Sequence, residues 1–171
     1  SEILKKLTLN PAIEDNFIDS DLTISEYIDE IIKSFQQTST KNFIVNYDQN
    51  SNPLNITKSI EIVYGLRNFI GNANKFSKNK IFINIKSDSD LTEVMIEDDG
   101  EGYPKDVLSK IGEPYIKSVK SSIKSKSGLG LGIFIGKTLL EKNYAIILCR
   151  NSKTRGGAEV SIKWKNEDFL K

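Results

Sequence analysis

Three short motifs, in a fixed order along the chain, carry most of the chemistry that this sequence can perform. Residues 68–76 hold an amide pair, a lysine and a phenylalanine at the end of a helical pattern. Residues 98–102 form an acidic turn with two glycines, and residues 128–131 open an apolar helix with alternating glycines. Amide oxygens suit a hard metal ion, a carboxylate suits an amino-bearing base, and free backbone N–H groups suit phosphates. Each motif alone is a weak signal, but their order predicts one site for a nucleotide with magnesium.

The amide-rich motif places several polar groups along one line of a helix. Asn68 and Asn72 are one turn apart and Lys75 lies close to the same line, so we expect this stripe to point well away from the apolar face. An amide oxygen is a neutral ligand that can hold magnesium while triphosphate oxygens supply most of the charge. Lys75 can meet a phosphate as a point charge, and the ring of Phe76 can lie near the base. The alternative, a solvent-facing helix side in an asparagine-rich protein, is favoured only when the motif stands alone.

The acidic turn is interpreted through the strand that precedes it. Side chains alternate between the two faces of a strand, so Asp98 shares the face of Val94 and Ile96, whereas both of its neighbours point away. An unpaired carboxylate aimed inward is costly, and the amino group of adenine would satisfy it. Gly100 and Gly102 permit positive φ angles and a close approach of the backbone to a flat ring. An ordinary Asp-Gly turn with a capping aspartate is the alternative for this motif taken by itself.

The glycine-rich motif predicts a phosphate contact at a helix start. In Gly128-Leu129-Gly130-Leu131, the first backbone N–H groups of the helix and its dipole favour a negative charge. The spacing is similar to the dinucleotide fingerprint, but no parallel βαβ unit surrounds it. The motif does not end in Gly-Lys-Ser/Thr, as a Walker loop does. The preceding residues 111–127 are rich in serine and lysine without a sustained period, which predicts a mobile loop.

Start and stop signals divide the chain into helices and strands that can position these motifs. Thr23 with Glu26 forms a capping box for the first helix, and Thr57 or Ser59 starts the second. Period-2 alternation indicates an antiparallel pair of strands, one around residues 81–85 and one around 94–96. The remaining predicted elements are a strand at 43–47, helices at 104–110 and 128–142, and closing strands at 145–149 and 158–164. These elements predict an α/β fold, a two-layer sandwich in which a mixed sheet carries helices on one face.

The composition narrows the chemistry further. The chain has 171 residues, a formal net charge of +1, one cysteine and no histidine, which predicts one soluble globular domain with a sizeable core. The charge balance gives no reason to expect a nucleic acid or a membrane surface as partner. Without histidine, Ser-His-Asp and Cys-His catalysis are excluded and a zinc site is hardly possible. A metal bound here is therefore expected to be a hard ion held by oxygen, and Cys149, in an apolar run, is expected to be a buried thiol.

The three motifs resemble the N box and the two glycine boxes of the GHKL ATPase superfamily, and in particular those of sensor histidine kinases. The resemblance extends from about Thr23 to Phe169. Residues 65–77, 108–115 and 130–135 resemble more narrowly the RegB/PrrB group of redox-responsive kinases. This resemblance implies a sandwich of the Bergerat type, ATP and Mg²⁺ as cofactors, and transfer of the ATP γ-phosphate to a histidine.

The resemblance also implies a role for each site residue. Asn72 would bind the magnesium ion, and Asn68 and Lys75 would approach phosphates. Phe76 would border the adenine, whose amino group Asp98 would bind. The other ATP-binding positions implied by the family lie in its glycine boxes and in the intervening F box: Gly100, Gly102, Tyr115, Gly128, Leu129, Gly130 and Leu131.

The chain departs from the family in lacking a phosphoacceptor. In sensor kinases that histidine lies in a separate dimerisation domain, and this chain has no histidine. We therefore expect residues 1–22 to be the end of that domain's helix plus a linker, and residues 23–171 to be the catalytic ATP-binding domain. The expected partners are the chain's own histidine-bearing dimerisation domain and a cognate response regulator, with no nucleic acid. The full-length protein is expected to be a homodimer anchored in the bacterial inner membrane, with this domain cytoplasmic and monomeric in isolation.

Two alternatives keep the fold but change the function. An ATP-driven clamp or chaperone of the gyrase and MutL type hydrolyses ATP with a glutamate one helical turn before the magnesium-binding asparagine. This chain has Asn68 at that position, and an amide cannot accept a proton at neutral pH. A non-catalytic nucleotide-binding regulatory module is the second alternative, and the three intact motifs argue against it. The favoured interpretation is the catalytic domain of a two-component sensor histidine kinase.

Overall fold

In the computed structural model of the chain, residues 22–48, 55–56, 59–111 and 129–169 are described. The predicted helix end and linker before residue 22 lie outside the described residues. The same is true of most of the predicted loop before the third motif, including Tyr115, and of Gly128.

The described residues contain four α-helices: α1 Ile24–Gln36, α2 Ile60–Phe76, α3 Lys105–Lys110 and α4 Leu129–Glu141. The predicted capping box starts α1, because the Glu26 backbone N–H donates to Thr23 Oγ1 at 3.2 Å and the Glu26 carboxylate accepts from the Thr23 N–H. Of the two predicted starts for α2, Ser59 is the N-cap, and its hydroxyl accepts from the N–H of Ile62 at 3.3 Å. None of these four helices combines the length and apolar character that a membrane crossing requires.

The strands form a five-stranded mixed sheet and a separate two-residue pair. The strands are β1 Leu22–Thr23, β2 Asn42–Tyr47, β3 Asn55–Ile56, β4 Lys80–Ser87, β5 Leu91–Asp98, β6 Ile146–Asn151 and β7 Ala158–Lys165. The large sheet has the order β2-β4-β5-β7-β6, and β1 pairs with β3. Strand β2 runs parallel to β4, whereas every other neighbouring pair in the large sheet is antiparallel. A short 3₁₀ helix, Asn166–Phe169, follows β7.

The helices cover one face of the large sheet, as the alternation of apolar residues predicts. Ile81, Ile83 and Ile85 of β4 are each at most 4% exposed and belong to one core cluster with the apolar stripe of α2. Residues between them point to the other face, where Phe82 and Asn84 are only partly buried. The result is the predicted two-layer α/β sandwich.

Glycines bring α2 and α4 close together beside the motifs. A Cβ atom at Gly65 would lie 2.5 Å from a leucine side chain of α4, and one at Gly136 would lie 2.8 Å from Phe69 Cε2. Since protein interiors are close-packed, neither position can carry a larger residue without moving the helices apart. One turn before Gly136, a Cβ atom at Gly132 would lie 3.0 Å from Asn72 Oδ1. Helix packing therefore fixes how the amide motif lies relative to the start of α4.

Candidate nucleotide-binding site

Residues of the first two motifs line one groove between α2 and the sheet. The structure brings together four of the predicted residues: Asn72, Phe76, Asp98 and Gly102. The groove is otherwise mainly apolar, with a carboxylate on one wall and an amide on another. The remaining lining residues come from α2, from β5 and the turn after it, and from β7: Phe69, Ala73, Ile96, Glu101, Tyr103, Ala158 and Val160.

Asp98 is held in the groove by backbone donors. It lies on the groove side of β5 together with Ile96, as the alternation predicts, and is 3% exposed. Its Oδ1 atom accepts the N–H of Gly100 at 2.8 Å and the N–H of Ala158 at 3.3 Å. Burial raises the pKa of the Asp98 carboxyl above its usual value, and these two donors offset only part of that rise. Both donors use Oδ1, so neither occupies the second oxygen.

The two glycines of the acidic turn have different structural roles. Gly102 has the predicted positive φ, +83°, and a Cβ atom there would lie 2.7 Å from Asn151 Oδ1. Gly100 does not adopt the positive φ that glycine permits. Glycine is required at that position because a Cβ atom would overlap the carbonyl oxygen of Phe76. The sequence suggested that a ligand ring approaches the Gly100 backbone closely. In the structure, the end of α2 makes that close approach.

A residue that sequence reasoning missed holds the acidic turn from the other side. The side chain of Asn151 accepts the backbone N–H of Tyr103 at 2.6 Å and donates to its carbonyl oxygen at 3.1 Å. Tyr103 itself lines the groove and is 6% exposed. The two residues are 48 positions apart, so no local pattern connects them.

Asn72 of the amide motif lies where α2 packs against α4, and not at a solvent-facing surface. Asn72 is partly buried, and among the described residues its Nδ2 atom has no hydrogen-bond partner. The prediction that the stripe points well away from the apolar face is therefore wrong for Asn72, because α4 approaches it at Gly132. Asn68 is not a lining residue, and its Nδ2 donates to the carbonyl oxygen of Tyr64, one turn back, at 2.7 Å.

The other predicted phosphate-binding residues lie at helix ends. Lys75 is exposed near the end of α2, and its Nζ lies 5.2 Å from the centroid of the Phe76 ring. Leu129 is the first residue of α4, and Gly130 and Leu131 follow it in the first turn. The first N–H groups of an α-helix have no acceptor within the helix, so this end of α4 can bind an anion.

The groove offers a metal ion the amide of Asn72. Within the part of the chain that the structure describes, no group of three or more His, Cys, Asp or Glu side chains is placed to hold a metal. The predicted ligand, Asn72, supplies a neutral amide. The nitrogen of this amide has no hydrogen-bond partner among the described residues. Such a site fits magnesium, which commonly takes few protein ligands and completes its shell with phosphate oxygens and water.

Cys149 has the properties of an unreactive thiol. It is partly buried in β6 and packs against the core cluster that contains Tyr103. Burial raises the pKa of the Cys149 thiol to about 11. The thiol is therefore protonated at neutral pH, and the thiolate is the reactive form.

The sequence matches a known family over most of its length. Residues 57–168 match the family described as histidine kinase-, DNA gyrase B-, and HSP90-like ATPase. The chain belongs to this family. It is an ATP-binding catalytic domain of the histidine kinase type, as the resemblance of its three motifs implies.

Relatives within this ATPase family include sensor kinases from several bacteria. The sensor histidine kinase RegB of Cereibacter sphaeroides is 35% identical over 122 residues, which cover 68% of this chain and 23% of that protein. The sensor histidine kinase CpxA of Escherichia coli is 25% identical over 91 residues, which cover 53% of this chain and 20% of that protein. The chain thus matches about a quarter of the length of RegB and less of CpxA.

Solved structures agree with the predicted fold of this ATPase family. The nucleotide-free catalytic domain of the histidine kinase ThkA is 20% identical, with a TM-score of 0.68 covering 87% of this chain and 97% of that one. The mycobacterial sensor histidine kinase MprB is 18% identical, with a TM-score of 0.64 covering 84% of this chain and 95% of that one. These similarities establish the shared α/β sandwich.

Proposed function

We propose that this chain donates the γ-phosphate of Mg-ATP to a histidine on a dimerisation domain, as the catalytic domain of a two-component sensor histidine kinase. The observation that carries the proposal is the groove in which Asp98, Phe76 and Asn72 meet. A carboxylate, an aromatic ring and an amide in one groove suit the adenine amino group, the adenine ring and a metal-bound phosphate. The similarity to RegB supports the same acceptor chemistry.

The base end of the groove would bind adenine. An ionised carboxylate only accepts hydrogen bonds, so Asp98 suits the amino group of adenine and opposes the carbonyl oxygen of guanine. The two backbone donors hold Oδ1, which would leave the other oxygen for the base. Phe76 and Gly102 would border the ring, since both line the groove beside Asp98.

The phosphate end would bind the triphosphate and its metal. Asn72 would hold Mg²⁺ through its amide oxygen, and Asn68 and Lys75 would approach phosphate oxygens. The metal, when bound, offsets phosphate charge and orients the γ-phosphate. The first turn of α4, with Leu129, Gly130 and Leu131, would donate backbone N–H groups to phosphates. Tyr115, Gly128 and the F box belong to the same proposal and lie outside the described residues.

The nucleophile in this proposal is supplied by another domain. A histidine ring nitrogen would attack the γ-phosphorus while the bond to the β-phosphate oxygen breaks, leaving ADP on this chain. Asn68 is suited to this transfer, because an amide does not activate water as a general base. Residues 1–22 would join the chain to that dimerisation domain, and the phosphate would then pass to a response regulator. We further propose a homodimeric, membrane-anchored parent protein whose catalytic domain is cytoplasmic.

Phosphotransfer in trans tests the proposal. The isolated chain should bind Mg-ATP but acquire no acid-labile, base-stable phosphate, since it contains no histidine. A histidine-bearing dimerisation domain supplied separately should accept label weakly, and the Asp98→Ala variant should transfer none. Acid-labile label on the chain alone would contradict the proposal. Steady ATP hydrolysis without an acceptor would favour the clamp ATPase, and no nucleotide binding would favour the regulatory module.

A further inference from the structure

A second buried carboxylate, that of Glu97, lies on the face of the sheet opposite Asp98. This face, which α1 to α4 do not cover, is called the open face. Glu97 precedes Asp98 in β5 and therefore points to the opposite face. It is 7% exposed, and its Oε2 atom accepts the hydroxyl of Ser152 at 2.8 Å and lies 3.9 Å from Arg155 Nε. A buried carboxylate needs such partners. Both partners belong to the turn formed by residues 152–157, which joins β6 to β7.

This turn is closed internally and fastened to the open face. The backbone N–H of Ser152 donates to the carbonyl oxygen of Gly157 at 2.7 Å, and the N–H of Arg155 donates to Ser152 Oγ at 3.1 Å. The guanidinium carbon of Arg155 lies 3.5 Å from the centroid of the Phe82 ring. Arg155 therefore contacts the open face through both a ring and a carboxylate.

The other end of the same turn packs against the groove carboxylate. A Cβ atom at Gly157 would overlap both the carbonyl oxygen and the Oδ1 atom of Asp98. The next residue, Ala158, donates its backbone N–H to the same Oδ1 at 3.3 Å. The turn thus contacts Glu97 on one face of the sheet and Asp98 on the other.

We propose that Glu97 is a positioning residue for base recognition, which acts through this turn on the Asp98 carboxylate. By holding Ser152 and Arg155 on the open face, it sets the position of the Gly157–Ala158 backbone against Asp98. Glu97 itself contacts no nucleotide. The consequence for selectivity rests on the proposed function, because it assigns Asp98 to the adenine amino group. The effect of Glu97 on the position of the Asp98 carboxylate does not rest on the proposed function. It can be measured without nucleotide.

The chain offers a matched control for this role. Glu159 lies directly across from Glu97 on β7 and is also 7% exposed, but it pairs with Arg150 and not with the turn. Glu97→Ala removes the acceptor for Ser152, whereas Glu97→Gln keeps an amide oxygen that can accept the same hydroxyl. Ser152→Ala removes the donor of the same hydrogen bond. It replaces Glu97→Ala in the test if that variant does not fold. Glu159→Gln removes an equally buried charge without touching the turn.

The first measurement follows the amide protons of Gly100 and Ala158 by NMR in the absence of nucleotide. Amide proton shifts report the hydrogen bonds that these groups donate to Asp98. Glu97→Ala and Ser152→Ala should move the Ala158 signal upfield, while Glu97→Gln and Glu159→Gln should leave it close to wild type. An unchanged Ala158 signal in Glu97→Ala, or an equal shift in Glu159→Gln, would overturn the positioning role, whether or not the chain binds ATP.

The second measurement compares affinities for ATP and for purine riboside triphosphate, which lacks the adenine amino group. A hydrogen bond to a charged group corresponds to roughly ten- to hundredfold in affinity, and the ratio of the two affinities isolates this contact. Glu97→Ala should reduce the ratio by about threefold or more, and Glu97→Gln should restore most of it. Equal losses for both nucleotides would overturn the role in selectivity. If the wild type binds the two nucleotides equally, Asp98 does not bind the adenine amino group. The NMR measurement alone then tests whether Glu97 positions the Asp98 carboxylate.

Discussion

The base end and the phosphate end of the groove differ in how far the protein itself holds the side chains. At the base end, Asp98 Oδ1 accepts two backbone N–H groups, and Asn151 fixes both backbone polar groups of Tyr103. At the phosphate end, the Nδ2 atom of Asn72 has no partner within the described residues, and Lys75 is exposed. A preorganised end contributes selectivity without ordering on binding, whereas an amide without a partner depends on the ligand. Changes at the base end should therefore alter which nucleotide binds, and changes at the phosphate end should alter dependence on metal.

The largest effect is expected for Asp98→Asn, which changes the hydrogen-bonding character of the base end. Wild type should prefer ATP over GTP by roughly ten- to hundredfold, because GTP would set a carbonyl oxygen against a carboxylate. The variant should lose ATP affinity and narrow this preference, because an amide can donate to the guanine oxygen. Calorimetric titration of both nucleotides against both proteins measures the change. Equal binding of ATP and GTP by the wild type would mean that Asp98 does not distinguish the bases.

Gly157→Ala should disturb the base end through packing. The added methyl group would overlap Asp98, and overpacking of this kind costs about 1–3 kcal/mol of unfolding free energy. ATP affinity should fall as well, since Asp98 must shift. Gly156→Ala is the matched control, because a Cβ atom there has nothing within 4 Å and only the φ of +83° opposes it, at about 1 kcal/mol. Urea unfolding and ATP titration compare the two, and a larger loss of ATP affinity in Gly156→Ala would contradict the packing argument.

Asn72→Ala tests the phosphate end. Loss of one metal ligand should weaken magnesium-dependent ATP binding by about tenfold, while binding measured with a chelator changes little because the base contacts remain. The fold should survive, since the removed amide nitrogen has no partner among the described residues. Titrations with and without magnesium give the comparison, and equal losses in both would show that Asn72 is not the metal ligand.

The parts of the fold and site that follow from local patterns were predictable. The capping box at Thr23, the parity that aims Asp98 inward and the hairpin that joins β4 to β5 all depend on neighbours in sequence. The resemblance of the three motifs implied the family, and four of the residues predicted from them line one groove.

The parts that depend on packing between distant segments were not predictable. Asn151 reaches Tyr103 only because β6 and the acidic turn meet at one end of the sheet. Gly100 is required by the carbonyl oxygen of Phe76, and Asn72 is partly buried because α4 packs closely at Gly132. The sequence predicted two closing strands, at 145–149 and 158–164, but nothing local indicated that β7 lies between β6 and β5.

The smallest expected effect is a pH dependence confined to the base end. Burial raises the pKa of Asp98 in the folded chain above its usual value of 3.8, so the folded state holds this proton more tightly than the unfolded state. The resulting stability is fully present below the unfolded pKa and is lost as pH rises through the raised folded pKa. At neutral pH, Asp98→Asn should therefore stabilise the nucleotide-free chain, and this advantage should shrink as pH falls through that window.

Recognition of the adenine amino group needs the ionised form of Asp98. The affinity ratio of ATP to purine riboside triphosphate should therefore decrease as pH falls through the same window. The two nucleotides carry the same phosphates, so protonation at the phosphate end cancels in this ratio. Titrations at a series of pH values measure it, and a ratio that follows pH equally in Asp98→Asn would show that another group titrates.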